Sequence, residues 1–228
     1  MRTLLLPGLD GTGRLFSAFV PELPASIGAE VVSYPSDLAL SYADLLARLP
    51  LRGEPVQIIA ESFSGPLAIR AAAAHAEVRA LVLVASFAKC PVSWLHRVLG
   101  TATPAALFRR PPPRYVVRRY LLGDDAPEDD VAQLQTVVGE VAPAVIATRL
   151  REICMVDVEK DFGRLTIPVL YLAGSRDRLV DQRVAHQLLR LRPVMELETV
   201  DAPHLVLQRR PLEAAKRIAA FFETHLRV

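Results

Sequence analysis

The chain has 228 residues, of which 51% are hydrophobic, so it is long enough for one substantial core and we expect a single domain spanning residues 1–228. Its 27 basic and 25 acidic residues leave a net charge of +2, which excludes the global electrostatic field that attracts nucleic acid or a membrane surface. Cys90 and Cys154 lie far apart without a CxxC spacing, so free thiols in a reducing compartment are expected rather than a disulfide or a metal site.

The first predicted element is a short apolar strand, Thr3 to Leu6, followed by a glycine-rich loop, Pro7 to Gly13, and a helical turn, Leu15 to Val20. The glycines of the loop, at positions 8, 11 and 13, fit neither common nucleotide-binding pattern, and no lysine follows them. The apolar opening stops at Pro7, which is too early for a signal-peptide core, and no later run approaches the length of a membrane span. We therefore expect a cytoplasmic protein without a membrane span and without a nucleic-acid partner.

The stretch from Val56 to Ala74 predicts a strand, a sharp turn and a helix. Ser62 lies in the turn, and the small residues Ala60, Ser64 and Gly65 flank it. Such a tight reversal raises the central side chain above the sheet edge, next to the free N–H groups of a helix N-terminus that stabilise negative charge. Ser62 is therefore a candidate nucleophile, and the alternative is that it caps the helix, as serines often do.

Continuous apolar runs are typical of parallel strands buried on both faces, and they alternate here with helical patterns. The predicted strands are Thr3–Leu6, Glu30–Pro35, Val56–Ala60, Ala80–Ser86, Pro168–Gly174 and Met195–Val200. The predicted helices between and after them are Ser41–Leu49, Leu67–Ala74, Gln182–Leu191 and Pro211–His225. This alternation predicts an α/β fold with a doubly wound, mostly parallel six-stranded sheet and right-handed crossovers.

The alternation stops for residues 89–160, which is longer than an ordinary connection and carries helical patterns of its own. Helices are predicted there at Val92–Leu99, Arg114–Leu122, Glu128–Val138 and Ala142–Val156. The first half of this insertion is basic because of Arg109, Arg110, Arg114, Arg118 and Arg119. These arginines form either a solvated face, balanced by the acidic residues that follow, or a docking patch for a phosphate or carboxylate.

Two further polar residues follow predicted strands, at the edge where open α/β sheets place their ligands. Asp177 comes after the fifth strand in a glycine turn, and His204 lies in the loop after the sixth. Asp181 is an alternative carboxylate, but it opens a predicted helix and is better explained as its cap. The other histidines, His75, His96, His186 and His225, fall inside predicted helices, where a solvated or packing role is expected.

Together these residues resemble the α/β-hydrolase family, whose elbow pattern G-x-S-x-G corresponds here to A-E-S-F-S followed by Gly65. The resemblance covers nearly the whole chain, except that the first two strands of the family are absent, and the insertion resembles the family's cap. It implies that Ser62, Asp177 and His204 are nucleophile, acid and base, in the family's chain order. It also implies that the backbone N–H groups of Leu9 and Phe63 form the oxyanion hole. Ala60 and Ser64 depart from the pattern because they replace both of its glycines.

The resemblance implies a serine hydrolase that cleaves a carboxylic ester or thioester through an acyl-enzyme, without a metal or an organic cofactor. Small family members with a cap include esterases for pimeloyl-carrier-protein methyl ester and thioesterases for carrier-bound chains. A carrier-protein-dependent esterase is therefore one alternative, with acyl carrier protein as the partner of the arginines. An acyltransferase, or a non-catalytic binding protein on the same fold, is another.

Overall fold

The computed structural model describes residues 1–91 and 104–225, and its centre is a six-stranded sheet in the order β2-β1-β3-β4-β5-β6. The strands are β1 (Arg2–Leu6), β2 (Ala29–Val31), β3 (Val56–Glu61), β4 (Val78–Val84), β5 (Val169–Gly174) and β6 (Glu196–Val200). Neighbouring strands are parallel in all pairs of this sheet. The doubly wound fold expected from the sequence is confirmed, with a sheet that is wholly parallel rather than mostly so.

The register of the strands brings their carboxyl ends to one edge of the sheet. Glu61 at the end of β3 pairs with Val84 at the end of β4, and Val84 pairs with Leu172 of β5. Gly174, at the end of β5, pairs with Val200, at the end of β6. The loops that follow β3, β5 and β6 therefore start side by side, which is how a parallel sheet gathers ligand-binding residues from distant parts of a chain.

Helices cover both faces of the sheet, because all six residues of β3 and of β5 are buried and need apolar cover on both sides. The helices outside the insertion are α1 (Tyr42–Leu46), α2 (Ser64–Ala74), α7 (Gln182–Leu191), α8 (Val206–Arg209) and α9 (Pro211–His225). Leu67 of α2 and Leu188 of α7 belong to the core on one face. Ile218 of α9 and Phe16, from the short 3-10 helix Arg14–Ala18, belong to the core on the other.

We call residues 89–160, the insertion between β4 and β5, the cap segment, and its described residues, 89–91 and 104–160, are mostly helical, as predicted. It contains a 3-10 helix (Ala105–Phe108), α3 (Arg114–Val116) running into a π-helix (Val117–Leu122), α4 (Glu128–Gly139) and α5 (Pro143–Met155), and α6 (Glu159–Arg164) begins within it. The predicted helix Val92–Leu99 lies outside the described residues. The cap segment is tied to the core: Leu205, next to His204, donates a backbone hydrogen bond of 3.0 Å to Leu121 at the end of the π-helix.

Several local predictions differ from the structure. The second strand is only three residues long, and the turn predicted as Leu15–Val20 is a 3-10 helix that begins at Arg14. His75 does not lie inside α2 but follows its last residue. Cys90 and Cys154 are not joined in a disulfide. Within the described ranges, no single helix is long and apolar enough to cross a membrane, and only α4 and α5, bent by 97° at their junction, pass that test as a pair.

Candidate active site

Ser62 occupies the sharp turn between β3 and α2. Its φ angle of 47° lies in the left-handed region, which costs a residue with a side chain about 1–3 kcal/mol and persists only when its surroundings hold it. Here the end of β4 does so: the Ser62 N–H donates to the Val84 carbonyl at 2.9 Å, and the Ser86 hydroxyl donates to the Ser62 carbonyl at 2.6 Å. Both backbone groups of the strained residue are therefore fixed.

One departure from the G-x-S-x-G pattern, Ser64, has a physical explanation. Ser64 is fully buried, and its hydroxyl donates to the carbonyl of Pro7 in the glycine-rich loop. Because that hydroxyl has only one proton, the 2.7 Å hydrogen bond between Ser64 and Tyr34 must be donated by the tyrosine. The position that requires glycine here is 65, one residue after the second glycine of the pattern, since a Cβ added to Gly65 would overlap the Ser86 hydroxyl. Ser64 thus links the turn to the loop after β1.

The structure brings Ser62, His204 and Asp177 together in one chain of hydrogen bonds. Ser62 Oγ lies 2.9 Å from His204 Nε2, and His204 Nδ1 lies 2.8 Å from Asp177 Oδ2. The other carboxylate oxygen, Asp177 Oδ1, accepts hydrogen bonds from the N–H groups of Leu179 and Val180, at 2.8 and 2.9 Å. These two donors hold the carboxylate in the orientation that faces the imidazole.

The surroundings of His204 favour its protonated form. Its side chain is buried, which by itself lowers the pKa of His204, but the adjacent charge and hydrogen bond of Asp177 and the more distant carboxylate of Glu61 raise it. The net pKa lies above the ordinary value for histidine. Because the protonated imidazole is stabilised, the site favours the ion pair that forms when His204 takes the serine proton.

Glu61 is a buried carboxyl group that the sequence argument did not single out. It is 1% exposed, and burial raises the pKa of Glu61 to about 7 although the positive charge of His204 opposes that shift. Oε2 accepts from Gln208 Nε2 at 3.3 Å, while Oε1 is buried without a hydrogen-bond partner among the described residues. A Cβ built on Gly8 would lie 3.4 Å from Oε2. The one signal for Glu61 in the sequence was the presence of an acidic residue at the end of a strand buried on both faces.

The two predicted oxyanion donors belong to different segments: Phe63 directly follows Ser62, and Leu9 lies in the loop after β1, whose Pro7 carbonyl accepts the hydroxyl proton of Ser64. Neither N–H donates to another group within the described parts of the chain, so both remain available to a ligand. Tyr42 fixes Phe63 by two contacts. The Tyr42 hydroxyl donates to the Phe63 carbonyl at 2.7 Å, and the two aromatic rings stack with their centroids 4.8 Å apart. Tyr42 is a second residue that spacing alone could not have identified.

The alternative acid and the remaining histidines lie elsewhere. The Asp181 side chain accepts a 2.8 Å hydrogen bond from the Arg183 N–H and so caps α7, as the sequence suggested. His186 lies within α7, and His225 is the last residue of α9, where it pairs with Glu196. His96 falls outside the described residues.

The five cap arginines do not form a uniform patch. Arg114 and Arg118 both pair with Glu128, the latter at 2.8 Å, so this acid partly neutralises them. Three others are exposed and, in the parts of the chain that the structure covers, have no ion-pair partner: they are Arg109, Arg110 and Arg119. Three other acids of the cap segment pair with arginines outside it: Asp124 with Arg178, and Asp125 and Asp130 with Arg209.

Comparisons with known proteins agree with this fold. The family model described as Serine aminopeptidase, S33, matches residues 29–205. The pimeloyl-[acyl-carrier protein] methyl ester esterase of Xanthomonas axonopodis pv. citri (strain 306) is 26% identical over 247 residues, which cover 95% of this chain and 94% of that protein.

Two solved structures illustrate the structural similarity. A bromoperoxidase from Bacillus anthracis matches with a TM-score of 0.79 at 15% identity, covering 97% of this chain and 91% of its own. The enol-lactonase from Burkholderia xenovorans LB400 matches with a TM-score of 0.75 at 16% identity, covering 97% and 91%. At such low identity the similarity concerns the fold alone. Because the family match spans most of the chain, the protein belongs to the α/β-hydrolase family described as serine aminopeptidase, S33.

Proposed function

We propose that this hydrolase is a serine esterase that cleaves a carboxylic ester or thioester through an acyl-enzyme. The observation that carries the proposal is the unbroken hydrogen-bond chain from Ser62 Oγ through His204 to Asp177 at the carboxyl edge of the sheet. In this mechanism His204 Nε2 accepts the serine proton as Oγ attacks the carbonyl carbon, and the imidazolium then protonates the leaving alcohol or thiol. Water, deprotonated by His204, then attacks the acyl-enzyme in the same way, and the carboxylic acid is released.

The oxyanion of each tetrahedral intermediate would be held by the N–H groups of Leu9 and Phe63. Neither N–H has an acceptor among the described residues, and Phe63 precedes the first turn of α2, whose dipole favours negative charge at that end. Each such donor contributes about 3 kcal/mol to transition-state stabilisation in enzymes where one has been removed.

The proposal is tested by labelling with a fluorophosphonate probe, which reacts with an activated serine, and by mapping the modified residue by mass spectrometry. We expect Ser62 to carry the label, and Ser62→Ala to abolish both labelling and hydrolysis of a p-nitrophenyl ester while its thermal transition stays cooperative. Ser41→Ala is a matched control because Ser41 only caps α1. Labelling of another serine, or normal turnover by Ser62→Ala, would remove Ser62 from the mechanism. An unlabelled protein would favour a non-catalytic binding role.

A carrier-bound acyl ester is the second candidate substrate. It is supported by the similarity to an enzyme named for a pimeloyl-carrier-protein methyl ester and by the exposed Arg109, Arg110 and Arg119 on the cap segment. Arg114 and Arg118, which the sequence grouped with them, are less available to a partner because Glu128 already pairs with both. We propose that the three exposed arginines contribute most of the attraction to an acidic carrier protein.

A further inference from the structure

Arg149, in the middle of α5, is the most deeply buried arginine that the structure describes. Only 2% of it is exposed, and removing a guanidinium from water is costly unless its donors are satisfied. It forms no ion pair within 4.0 Å in the described parts of the chain, although the carboxylate of Asp10 is near enough to favour its charge. Its partners are backbone carbonyls, so the side chain fixes the path of the main chain rather than the position of another charge.

Two of those carbonyls belong to the loop that carries the Leu9 N–H. Nη1 donates to the Leu9 carbonyl at 2.9 Å and to the Asp10 carbonyl at 2.6 Å. The loop bends closely around the guanidinium at Gly11, where φ is +70° and a Cβ would overlap Nη1. On the other side of Leu9, the Pro7 carbonyl accepts the hydroxyl proton of Ser64. The Leu9 N–H therefore lies between one peptide fixed by the serine turn and two fixed by Arg149.

The same guanidinium also reaches the loop after β2. Nη2 donates to the Pro35 carbonyl at 3.0 Å, and the guanidinium carbon lies 5.7 Å from the centroid of the Tyr34 ring. Tyr34 in turn donates to Ser64, whose hydroxyl holds Pro7. One network of contacts thus runs from the cap segment to both sides of the candidate oxyanion hole.

We propose that Arg149 is a positioning residue for the oxyanion hole: by binding the Leu9 and Asp10 carbonyls from the cap segment, it aims the Leu9 N–H at the developing oxyanion. The inference rests on the serine-esterase function proposed above. A planar guanidinium can serve three carbonyls in different directions, whereas a lysine ammonium is a single point charge, so the arrangement is specific to arginine. The effect falls on the transition state because the oxyanion forms only there.

The test compares Arg149→Lys and Arg149→Met with Arg192→Met. Arg192 is a matched control because it is also buried, at 8% exposure, and donates to two backbone carbonyls, those of Leu165 and Ile167, at the opposite edge of the sheet from the candidate site. Three quantities are measured per active site titrated with the fluorophosphonate probe: kcat and KM for a p-nitrophenyl ester, the inhibition constant of a trifluoromethyl ketone that forms a tetrahedral adduct, and the thermal transition.

For both Arg149 variants we expect kcat to fall about 10- to 100-fold, less than for complete loss of a donor, with KM within about twofold of the wild type. Affinity for the ketone should fall in proportion to kcat. Arg192→Met should keep its kcat per active site even where its thermal transition falls as much. Arg149→Lys preserves the charge and much of the volume, so it reports on the geometry even if Arg149→Met does not fold.

An unchanged kcat in the Arg149 variants would overturn the inference, as would an equal loss of kcat in Arg192→Met or a rise in KM without a change in ketone affinity. Failure of the proposed function has a different signature. In that case the wild type itself does not react with the probe.

Discussion

The carboxyl group of Glu61 is unusual because it is buried one residue before the proposed nucleophile and has one oxygen without a partner in the described structure. Burial raises its pKa to about 7, so a fraction is ionised near neutral pH. When ionised, it adds negative field at His204 and supports the imidazolium. Glu61 thus connects the stability of the fold with the protonation of the proposed base.

Glu61→Gln should make the protein less sensitive to pH. The folded pKa of about 7 lies above the ordinary 4.5, so between these values the folded protein binds more protons than the unfolded one, and wild-type stability falls as pH rises. The difference between the folded and unfolded pKa values corresponds to about 3 kcal/mol of stability, which is fully lost above the folded pKa. The free energy of unfolding is measured in urea at pH 4.5 and at pH 8. Between these values the wild type should lose about 3 kcal/mol more than Glu61→Gln. The exposed Glu22→Gln is the control, and parallel curves for all three proteins would contradict the prediction.

The same substitution should change the pH profile of catalysis. Because the Glu61 carboxylate raises the pKa of His204, its removal lowers that pKa, and the acid limb of kcat/KM should move to lower pH. A limb that stays in place would show that the two groups do not interact during catalysis.

At the scale of elements, α7 and the turn before it carry two aspartates with different roles. Asp177 Oδ2 binds the imidazole, whereas Asp181 Oδ1 caps the helix. In Asp177→Asn the remaining oxygen can still accept from Leu179 and Val180, which leaves the amide N–H facing His204 Nδ1. That donor forces the tautomer in which Nε2 carries a proton and cannot accept one from Ser62.

We therefore expect Asp177→Asn to lower kcat about 10⁴-fold, as the corresponding change does in a serine protease with this type of triad. Asp181→Asn should retain activity and stability because asparagine is also a good cap, and Asp181→Ala should lose about 1 kcal/mol of stability with kcat unchanged. Steady-state kinetics and urea unfolding of the three variants check this. If the Asp181 variants lost more activity than Asp177→Asn, the acid would be Asp181.

The elements that the sequence predicted best are those whose pattern follows from burial. The runs in β3, β4 and β5 are mainly apolar because most of their residues are buried, and their ends locate Ser62 and Asp177 in the turns that follow. The edge strand β2 is partly exposed, so its pattern was weak and its predicted length was wrong. A π-helix of six residues is too short to show a period of its own in the sequence, and therefore the segment Val117–Leu122 was predicted only as helical.

The parts of the candidate site that could not be predicted depend on contacts between distant residues. Tyr42 holds Phe63 across 21 positions of sequence, and Arg149 reaches Leu9 across 140. Neither side chain has a local signal, since a tyrosine near a helix start and an arginine in a helix are common. The requirement for glycine at position 65 depends on Ser86, which the elbow pattern does not include.

At the scale of the whole molecule, the exposed Arg109, Arg110 and Arg119 of the cap segment are the proposed contact for an acidic partner, whereas Asp124, Asp125, Glu128 and Asp130 pair with other arginines of the chain. Arg109→Glu combined with Arg119→Glu should raise KM for an acyl-carrier substrate about tenfold through lost long-range attraction. Turnover of a small neutral ester should hardly change. In wild type, 1 M salt should weaken the carrier reaction similarly because the Debye length falls to ~3 Å.

The matched control is Arg48→Glu with Arg52→Glu, which makes the same charge change on exposed residues outside the cap segment. Steady-state kinetics with both substrates decide between the explanations. An equal loss on the small ester would mean that the cap arginines only stabilise the cap segment, and no loss on either substrate would mean that they are merely solvated.

The parallel sheet also determines how the protein reaches its active form. β5 joins the sheet by pairing Leu81 with Val169, so the chain must close a loop containing the whole cap segment before this pair can form. Contacts between residues so far apart are slow to form, because the entropy of loop closure is lost before any hydrogen bond compensates it. Until then β4 is an open edge that can pair with another chain. Refolding should therefore recover probe-reactive enzyme only as β5 and β6 add to β4, and more completely in dilute solution than in concentrated solution.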